Sequence, residues 1–345
     1  MKYVLPSIIF FIVCLAGFTH QKSTPKNNLM IVFWNVENLF DINDDPLKND
    51  EEFLPDSPKQ WNKEKYNKKL TDIAACITSI NKKVTPDLVG LAEIENKKVL
   101  QDLVGTSDLV KANYGILHYE SRDERGIDVA LLYNRNEIEI VESKPIPVDF
   151  ITDTTDFTRD ILYAKCHTGE NILHLFVNHW PSRSPNEKDS EIKRITAAVT
   201  LRKEIDRILN IDNNVRIIIV GDFNDEPTNR SIMQVLGATN KLKNIGYRDL
   251  YNMMYDMHNT GDEGTLTYRD NWQMFDQIIV TPSLFAKGNG YYTAPADGQV
   301  LKNDLLLYRN PETGALQPHR TYIGDYYAGG VSDHLPVYFI LRLSE

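Results

Sequence analysis

Asp222 and Asn224 follow directly on the apolar, β-branched run of residues 217–226, IIIVGDFNDE. Such a run predicts a buried strand, and Gly221 with the polar residues behind it predicts where that strand ends. Side chains alternate along an extended chain, so Asp222 and Asn224 share a direction and Phe223 is expected to point into the core. The same punctuation recurs at Asn35, Glu93, His179, Asp276 and Asp333-His334, each at or beside an apolar run. Taken singly, most have ordinary explanations: Gly, Asp, Asn and Ser build turns, and a histidine is often a hydrogen-bonded structural residue. Glu93 and Asp276 are harder to dismiss, because a carboxylate inside an apolar run is costly to bury without a partner. Together they supply oxygen donors and two histidines with no thiolate. That donor set suits Mg2+, Mn2+ or Ca2+ rather than zinc or copper.

The elements that must hold these residues alternate between strand and helix. Residues 29–40 read as a strand that breaks into Asn35, Glu37 and Asn38. Residues 63–80 carry a helical stripe of Tyr66, Leu70, Ile73, Ala74, Ile77 and Ile80. A second buried strand, 88–94, ends at Glu93, and a short helix follows near 99–109. Residues 126–133 and 137–141 read as neighbouring strands. Residues 161–166 and 172–177 read as a hairpin closed by 168–171. A long amphipathic helix is expected over 191–209, a short one near 231–236, and strands over 265–268, 275–281 and 337–343. Open α/β sheets collect ligands at the carboxyl ends of their strands, where this punctuation sits. Residues 284–330, rich in Gly, Pro, Tyr and Asn, read as a lid or a long surface excursion. No internal repeat or low-complexity tract divides the chain, so residues 28–345 are expected to form one domain.

The chain has 345 residues, 42% hydrophobic and 25% charged, the composition of an ordinary globular enzyme. A net charge of −10 argues against a protein held on nucleic acid by broad electrostatics. It does not exclude an enzyme that meets phosphates through a bound cation. Residues 1–20, MKYVLPSIIFFIVCLAGFTH, combine Lys2, an apolar run and the small-x-small Cys14-Leu15-Ala16. They predict a signal peptide, too short for a comfortable membrane span, and residues 21–27 a linker; export is expected, to the periplasm, cell surface or medium. With Cys14 in that segment, Cys76 and Cys166 remain and are expected as two buried thiols. No CxxC or Cys/His cluster points to structural zinc.

In order, FWNVENLF, LVGLAEIEN, VNHWPSR, VGDFND, FDQIIV and SDHLPV resemble the motifs of the endonuclease/exonuclease/phosphatase superfamily, over nearly all of residues 30–343. The resemblance implies a DNase I-like α/β fold: a four-layered sandwich of two packed mixed β-sheets flanked by helices. It implies hydrolysis of a phosphate ester by a metal-activated water, with Asn35, Glu93 and Asp333 holding Mg2+ or Mn2+ (or Ca2+). Asp276 would hold His334, Asp222 would orient or deprotonate the water, and Asn224 would hold a phosphate oxygen. His179 would stabilise the phosphate or protonate the leaving oxygen. Either Asp222 or His334 serves as the general base. Arg159 stands where a phosphate contact is expected, with an ion pair as the alternative, and Arg125 and Asp128 lie near the site. The Arg of inositol phosphatases and the Arg and Tyr of apurinic-site endonucleases are absent around Asp276. The opening motif and the HWPSR loop are more similar to exported bacterial nucleases. Trp180 and Arg183 there would stack on a base and hold a phosphate, or else pack in the core and cap a helix. An endonuclease or phosphodiesterase acting on DNA or RNA is therefore the first expectation, and a phosphatase or sphingomyelinase-type enzyme on lipid or inositol phosphates the second. An inactive binding member would have lost one of the paired ligands, and the set is intact. No obligate protein partner is implied.

Overall fold

In β1 (Asn28–Leu39), Leu29, Ile31 and Phe33 face one way and Met30, Val32 and Trp34 the other, and both faces are buried. A strand covered on both sides belongs inside a layered stack. The computed structural model describes residues 26–81, 84–150, 154–288 and 290–344. The expected signal peptide, including Cys14, lies outside them. Chain order runs on through α1 (Lys63–Ser79), β2 (Leu88–Ile94), α2 (Lys97–Val104), β3 (Tyr114–His118), β4 (Asp128–Asn134), β5 (Glu139–Ile146), β6 (Ile161–Thr168) and β7 (Asn171–His179). It continues with α3 (Glu187–Leu209), β8 (Ile217–Asp222), β9 (Asp276–Val280) and β10 (Val337–Leu343).

These strands form two mixed sheets. The first has the order 291–292, β10, β1, β2, β4, β3, with 299–300 also on β10. The second runs β5, β6, β7, β8, β9, 250–252, 238–239. Each is built round a parallel pair with a crossover helix, β1–α1–β2 in one and β7–α3–β8 in the other, flanked by antiparallel strands. The two halves thus share a topology although the sequence shows no repeat. α1 and α2 cover the first sheet through Leu70, Ile73, Ile77, Val99 and Leu103. α3 covers the second through Ala198, Leu201 and Ile205 against Phe176, Ile217 and Ile219. Between the sheets lie Ile31, Phe33, Val177, Ile218, Val220 and Ile278. Each such side chain contributes roughly 1.5–3 kcal/mol by leaving water. The result is the expected four-layered α/β sandwich. Gly90 fits the closest approach of the sheets: a Cβ there would lie 3.2 Å from Phe33 and Val177 and 3.3 Å from Val220.

Several expectations change. β4 and β5 are not neighbours: β2 and β3 already occupy both edges of β4, so β5 crosses to the free edge of β6. β3 carries no clear alternation and went unforeseen. Residues 284–330 are not a detached excursion. They form short hairpins, 307–309 with 316–318 and 322–323 with 326–327, and the Thr321 N–H docks on Glu37 beside β1. Lys26 and Asn27, inside the expected linker, are tied down, Lys26 by an ion pair with buried Asp87 at 2.8 Å and Asn27 by the Leu343 N–H. Cys76 and Cys166 are free, buried in separate cores, and burial pushes both thiols up to about 12. Among the described residues no helix is long and apolar enough to cross a membrane.

Candidate active site

Strand register brings three of the expected residues into one row. His179 lies opposite Asp222 across β7–β8, and Asp222 lies opposite Asp276 across β8–β9. Directly opposed residues share a face. That face is the inter-sheet one, since Val177, Val220 and Ile278 precede or follow these residues at a spacing of two. Asn35 reaches the same rim by the alternation Ile31, Phe33, Asn35 on β1. Phe223 turns the other way, into the α3 core, edge-on to Trp180 at 4.8 Å.

Glu93 arrives differently. Alternation from Val89 and Leu91 would aim it at the helices, but a break in pairing on both sides of β2 leaves Glu93 in the left-handed region at φ 62°. That bulge re-aims the carboxylate toward the site. Glu37, Asn38 and Asn224 are left-handed too, at φ 53°, 54° and 50°. Such conformations cost on the order of 1 kcal/mol each and persist only where the surroundings enforce them.

Hydrogen bonds then fix the group. His334 Nδ1 lies 2.7 Å from Asp276 Oδ2, and its Nε2 lies 3.9 Å from Asp222 Oδ2. The loop before β10 is tied to β1: Trp34 donates to the His334 carbonyl, the His334 N–H to Ser332 Oγ, and the Ser332 hydroxyl to the Asn35 carbonyl. The Asn35 amide nitrogen donates to Asp222 Oδ2 at 3.0 Å and Glu93 Oε1 at 3.3 Å. Glu93 Oε2 accepts the Asn38 N–H at 2.8 Å. His179 Nε2 sits 3.5 Å from Asp222 Oδ2 and 3.9 Å from Glu93 Oε1. The Asn224 N–H donates to Asp222 Oδ1 at 2.9 Å, and its side-chain amide to the Trp180 carbonyl at 3.0 Å.

Burial and charge separate the protonation states. Burial, with Asp276 adding and His334 opposing, pushes the Asp222 carboxyl up to about 6. Burial alone would lower His334, but Asp276 and Asp222 overcome it and hold its pKa well above the usual imidazole value. Burial and the Arg159, Arg125 and His334 charges hold His179 well below that value. His334 is thus an imidazolium and His179 a neutral ring. Asp276 Oδ1 and His179 Nδ1 are buried without a hydrogen-bond partner.

Other expected residues are placed less directly. The buried Arg159 guanidinium pairs with Asp123 at 3.2 Å and donates to the Trp180 carbonyl at 2.8 Å. It braces the end of β7 and has the ion pair that was its alternative, since a buried guanidinium needs a counter-ion. Asn35 turns its amide nitrogen, not its oxygen, to the carboxylates, and its Oδ1 accepts the Glu37 N–H. Asp333 lies at the mouth, 3.6 Å from Arg320 and 3.9 Å from His334 Nε2. Asn35 and Glu93 adjoin each other at 3.3 Å, and ligand atoms of Asp222, Asp276 and His334 lie within 4.8 Å of one another. Trp180 is 1% exposed and unavailable for stacking on a base. Arg183 braces the Asn224 carbonyl and lies over the Phe275 ring. Arg125 bonds Asn38 Oδ1.

Two neighbours complete the surroundings, Glu37 from the expected strand break and Lys69, unforeseen in the sequence. Glu37 accepts the Thr321 N–H, and burial and the Asp333 charge push it up to about 7. Buried Lys69 donates to the Glu37 and Val331 carbonyls and to Thr321 Oγ1. Its signal was available, because it interrupts the α1 stripe between Tyr66 and Ile73. The four carboxylates Asp222, Asp276, Glu93 and Asp333 outnumber the cations in direct contact with them, His334 and Arg320. That excess, with the orphaned Asp276 oxygen, fits a divalent cation held by oxygen donors.

Residues 30–343 match the model of the endonuclease/exonuclease/phosphatase family. No curated protein matches the sequence. Solved structures do. The human Nocturnin catalytic domain with bound sulfate is 15% identical, with TM-score 0.55, covering 92% of this chain and 96% of that one. D. rerio TDP2 in complex with a single-strand DNA product is 17% identical, with TM-score 0.53 and coverages of 92% and 100%. A mannosyl-6-phosphatase from Bacteroides thetaiotaomicron is 16% identical, with TM-score 0.55 and coverages of 92% and 100%.

Proposed function

Because the chain belongs to the endonuclease/exonuclease/phosphatase family, we propose that it is a divalent-metal-dependent phosphodiester hydrolase, an exported nuclease acting on DNA or RNA. The observation that carries the chemistry is the row His179–Asp222–Asp276 closed by His334 at 2.7 Å. Glu93 and Asp333 would hold the cation, and Asn35 joins them once its amide turns over. When bound, the ion polarises a phosphoryl oxygen and offsets the charge developing on phosphate. Asp222, ionised above about pH 6, takes the proton of the attacking water. The His334 imidazolium, held by Asp276, donates from Nε2 toward the charge that grows on the phosphoryl oxygens. His179 Nε2, flanked by Asp222 and Glu93 oxygens, carries the ring proton and offers it to a phosphate oxygen from a neutral ring.

Space beside the site supports a diester. A cavity of about 650 Å3 beside Asn224 is lined by Arg183, Tyr268, Arg269 and Phe275. A smaller one of about 220 Å3 beside Glu37 and Asn38 is lined by Phe53, Lys59, Trp61 and Tyr322. A phosphorus between them can carry a substituent in each direction, and the two arginines suit the next phosphate of a strand. The TDP2 structure with its DNA product supports the same substrate class. The apolar run after Lys2 supports export.

The test is a substrate panel in Mg2+ or Mn2+: plasmid DNA, single-stranded DNA, RNA, mannose 6-phosphate, inositol phosphates and sphingomyelin, with Asp222→Asn and His334→Ala as controls. Cleavage of nucleic acid, lost in both variants, is expected. Turnover confined to the sugar, inositol or lipid substrates would overturn the nuclease reading.

A further inference from the structure

At the outer edge of the first sheet, β3 and β4 carry a second convergence of ligand atoms. β3 pairs with β4 so that His118 lies opposite Ala130. Continuing that register sets Glu120 opposite Asp128, and residues two apart share a face, so His118, Glu120 and Asp128 project from one side. Their ligand atoms lie within 4.8 Å of one another. The His118 and Asp128 side chains are each 2% exposed. His118 Nε2 and Asp128 Oδ2 stand 3.2 Å apart, yet neither makes a hydrogen bond. Asp128 Oδ1 accepts the Ser121 N–H at 2.9 Å, and Oδ2 is turned toward the imidazole. Glu120 lies 3.8 Å from His118 Nδ1, its carboxyl also meets that of Asp128, and it opens the group to solvent. Lys48, the nearest ammonium, donates to the Ser121 and Asp123 carbonyls and not to these carboxylates.

A buried imidazole nitrogen and carboxylate oxygen this close, with no hydrogen bond of sound geometry, are placed to share one ion. Ligands about 2.1 Å from a common ion sit roughly 3.0–3.4 Å apart when they subtend octahedral or tetrahedral angles. The spacing of His118 and Asp128 falls inside that range. One imidazole nitrogen with carboxylate oxygens favours Mn2+ or Zn2+ over Mg2+ or Ca2+.

We propose that His118, Glu120 and Asp128 form a second cation site, for Mn2+ or Zn2+, that clamps the base of the loop 119–127. That loop sends Asp123 to Arg159 and Arg125 to Asn38, and Arg159 in turn braces the Trp180 carbonyl next to His179. The ion at its base steadies the surroundings of His179 without touching substrate.

The test is metal content and melting temperature of the full protein, with activity left aside. Wild type, His118→Ala, Glu120→Ala and Glu93→Gln are each equilibrated with Zn2+ or Mn2+, dialysed, and measured by mass spectrometry for bound metal and by circular dichroism for melting. His118→Ala is expected to hold one equivalent fewer than wild type and to lose the metal-induced rise in melting temperature. Glu120→Ala, whose side chain is exposed, is expected to bind that ion at least tenfold more weakly. Glu93→Gln is expected to keep it, whatever becomes of the ion at the catalytic row. If His118→Ala fails to fold, Glu120→Ala decides. Equal stoichiometry and affinity in wild type and Glu120→Ala, or loss of this equivalent in Glu93→Gln alone, would overturn the proposal.

Discussion

Two imidazoles next to one carboxylate hold opposite charge states, and the difference lies in what each ring's far nitrogen meets. His334 Nδ1 has Asp276, while His179 Nδ1 has nothing. Removing that distinction is the sharpest residue-level perturbation. Asp276→Asn leaves His334 without its anion, and kcat is expected to fall about 10^2–10^4-fold while KM changes little, as steady-state kinetics would show. A base that must be ionised gives a rate that rises with pH, so kcat/KM is expected to climb through about pH 6, where Asp222 titrates. In Asp222→Asn that acidic limb should vanish along with most of the activity. An unchanged limb would assign the base elsewhere. At this scale much was legible in the sequence: strand alternation aimed Asp222 toward the other sheet and Phe223 into the α3 core. Glu93 was legible as a type and not as a direction, because its aim comes from a φ of 62° that no side-chain pattern encodes. The ion pair of Arg159 was legible as an alternative but not its partner, because Asp123 lies 36 residues away in sequence.

At the scale of elements, the end of β7 depends on supports from two directions. Arg159 and the Asn224 amide both donate to the Trp180 carbonyl, one residue past His179. Arg159→Ala would strand the buried Asp123 carboxylate as well as this carbonyl. Destabilisation of about 3 kcal/mol is expected, read as a shift in the urea midpoint. Loss below about 1 kcal/mol would mean that the pair is solvated and does not brace the strand. Element boundaries came through well wherever apolar periodicity was strong, as in α1, β2 and β10. Partnership did not. β4 and β5 follow each other in sequence but enter different sheets, since which edge is free depends on strands placed far away in the chain.

For the whole molecule, the site is a seam. The first sheet supplies Asn35 and Glu93 and, through the loop before β10, Asp333 and His334; the second supplies His179, Asp222 and Asp276. Catalytic geometry therefore depends on sheet spacing, and at Gly90 the sheets leave little room for even a Cβ. Gly90→Val forces a branched side chain against Phe33, Val177 and Val220. It is expected to destabilise the fold by about 1–3 kcal/mol and to lower kcat in the fraction that still folds, measured by melting and by active-site-normalised turnover. A destabilised enzyme with normal kcat would show that the rim is insulated from the core. The shared topology of the two halves left no trace in the sequence, since residues can change freely while the register of strand and crossover is kept.

The pairing of β10 with β1 also sets a schedule. His334 and its Ser332 tether come after every other part of the site in the chain, and β10 must slot in beside the first strand before they are in place. A polypeptide still being made, complete through β9, already has its row of acids and one histidine but no imidazolium to close it. The site proposed above is therefore complete only when synthesis has passed residue 334 and the sheet has closed.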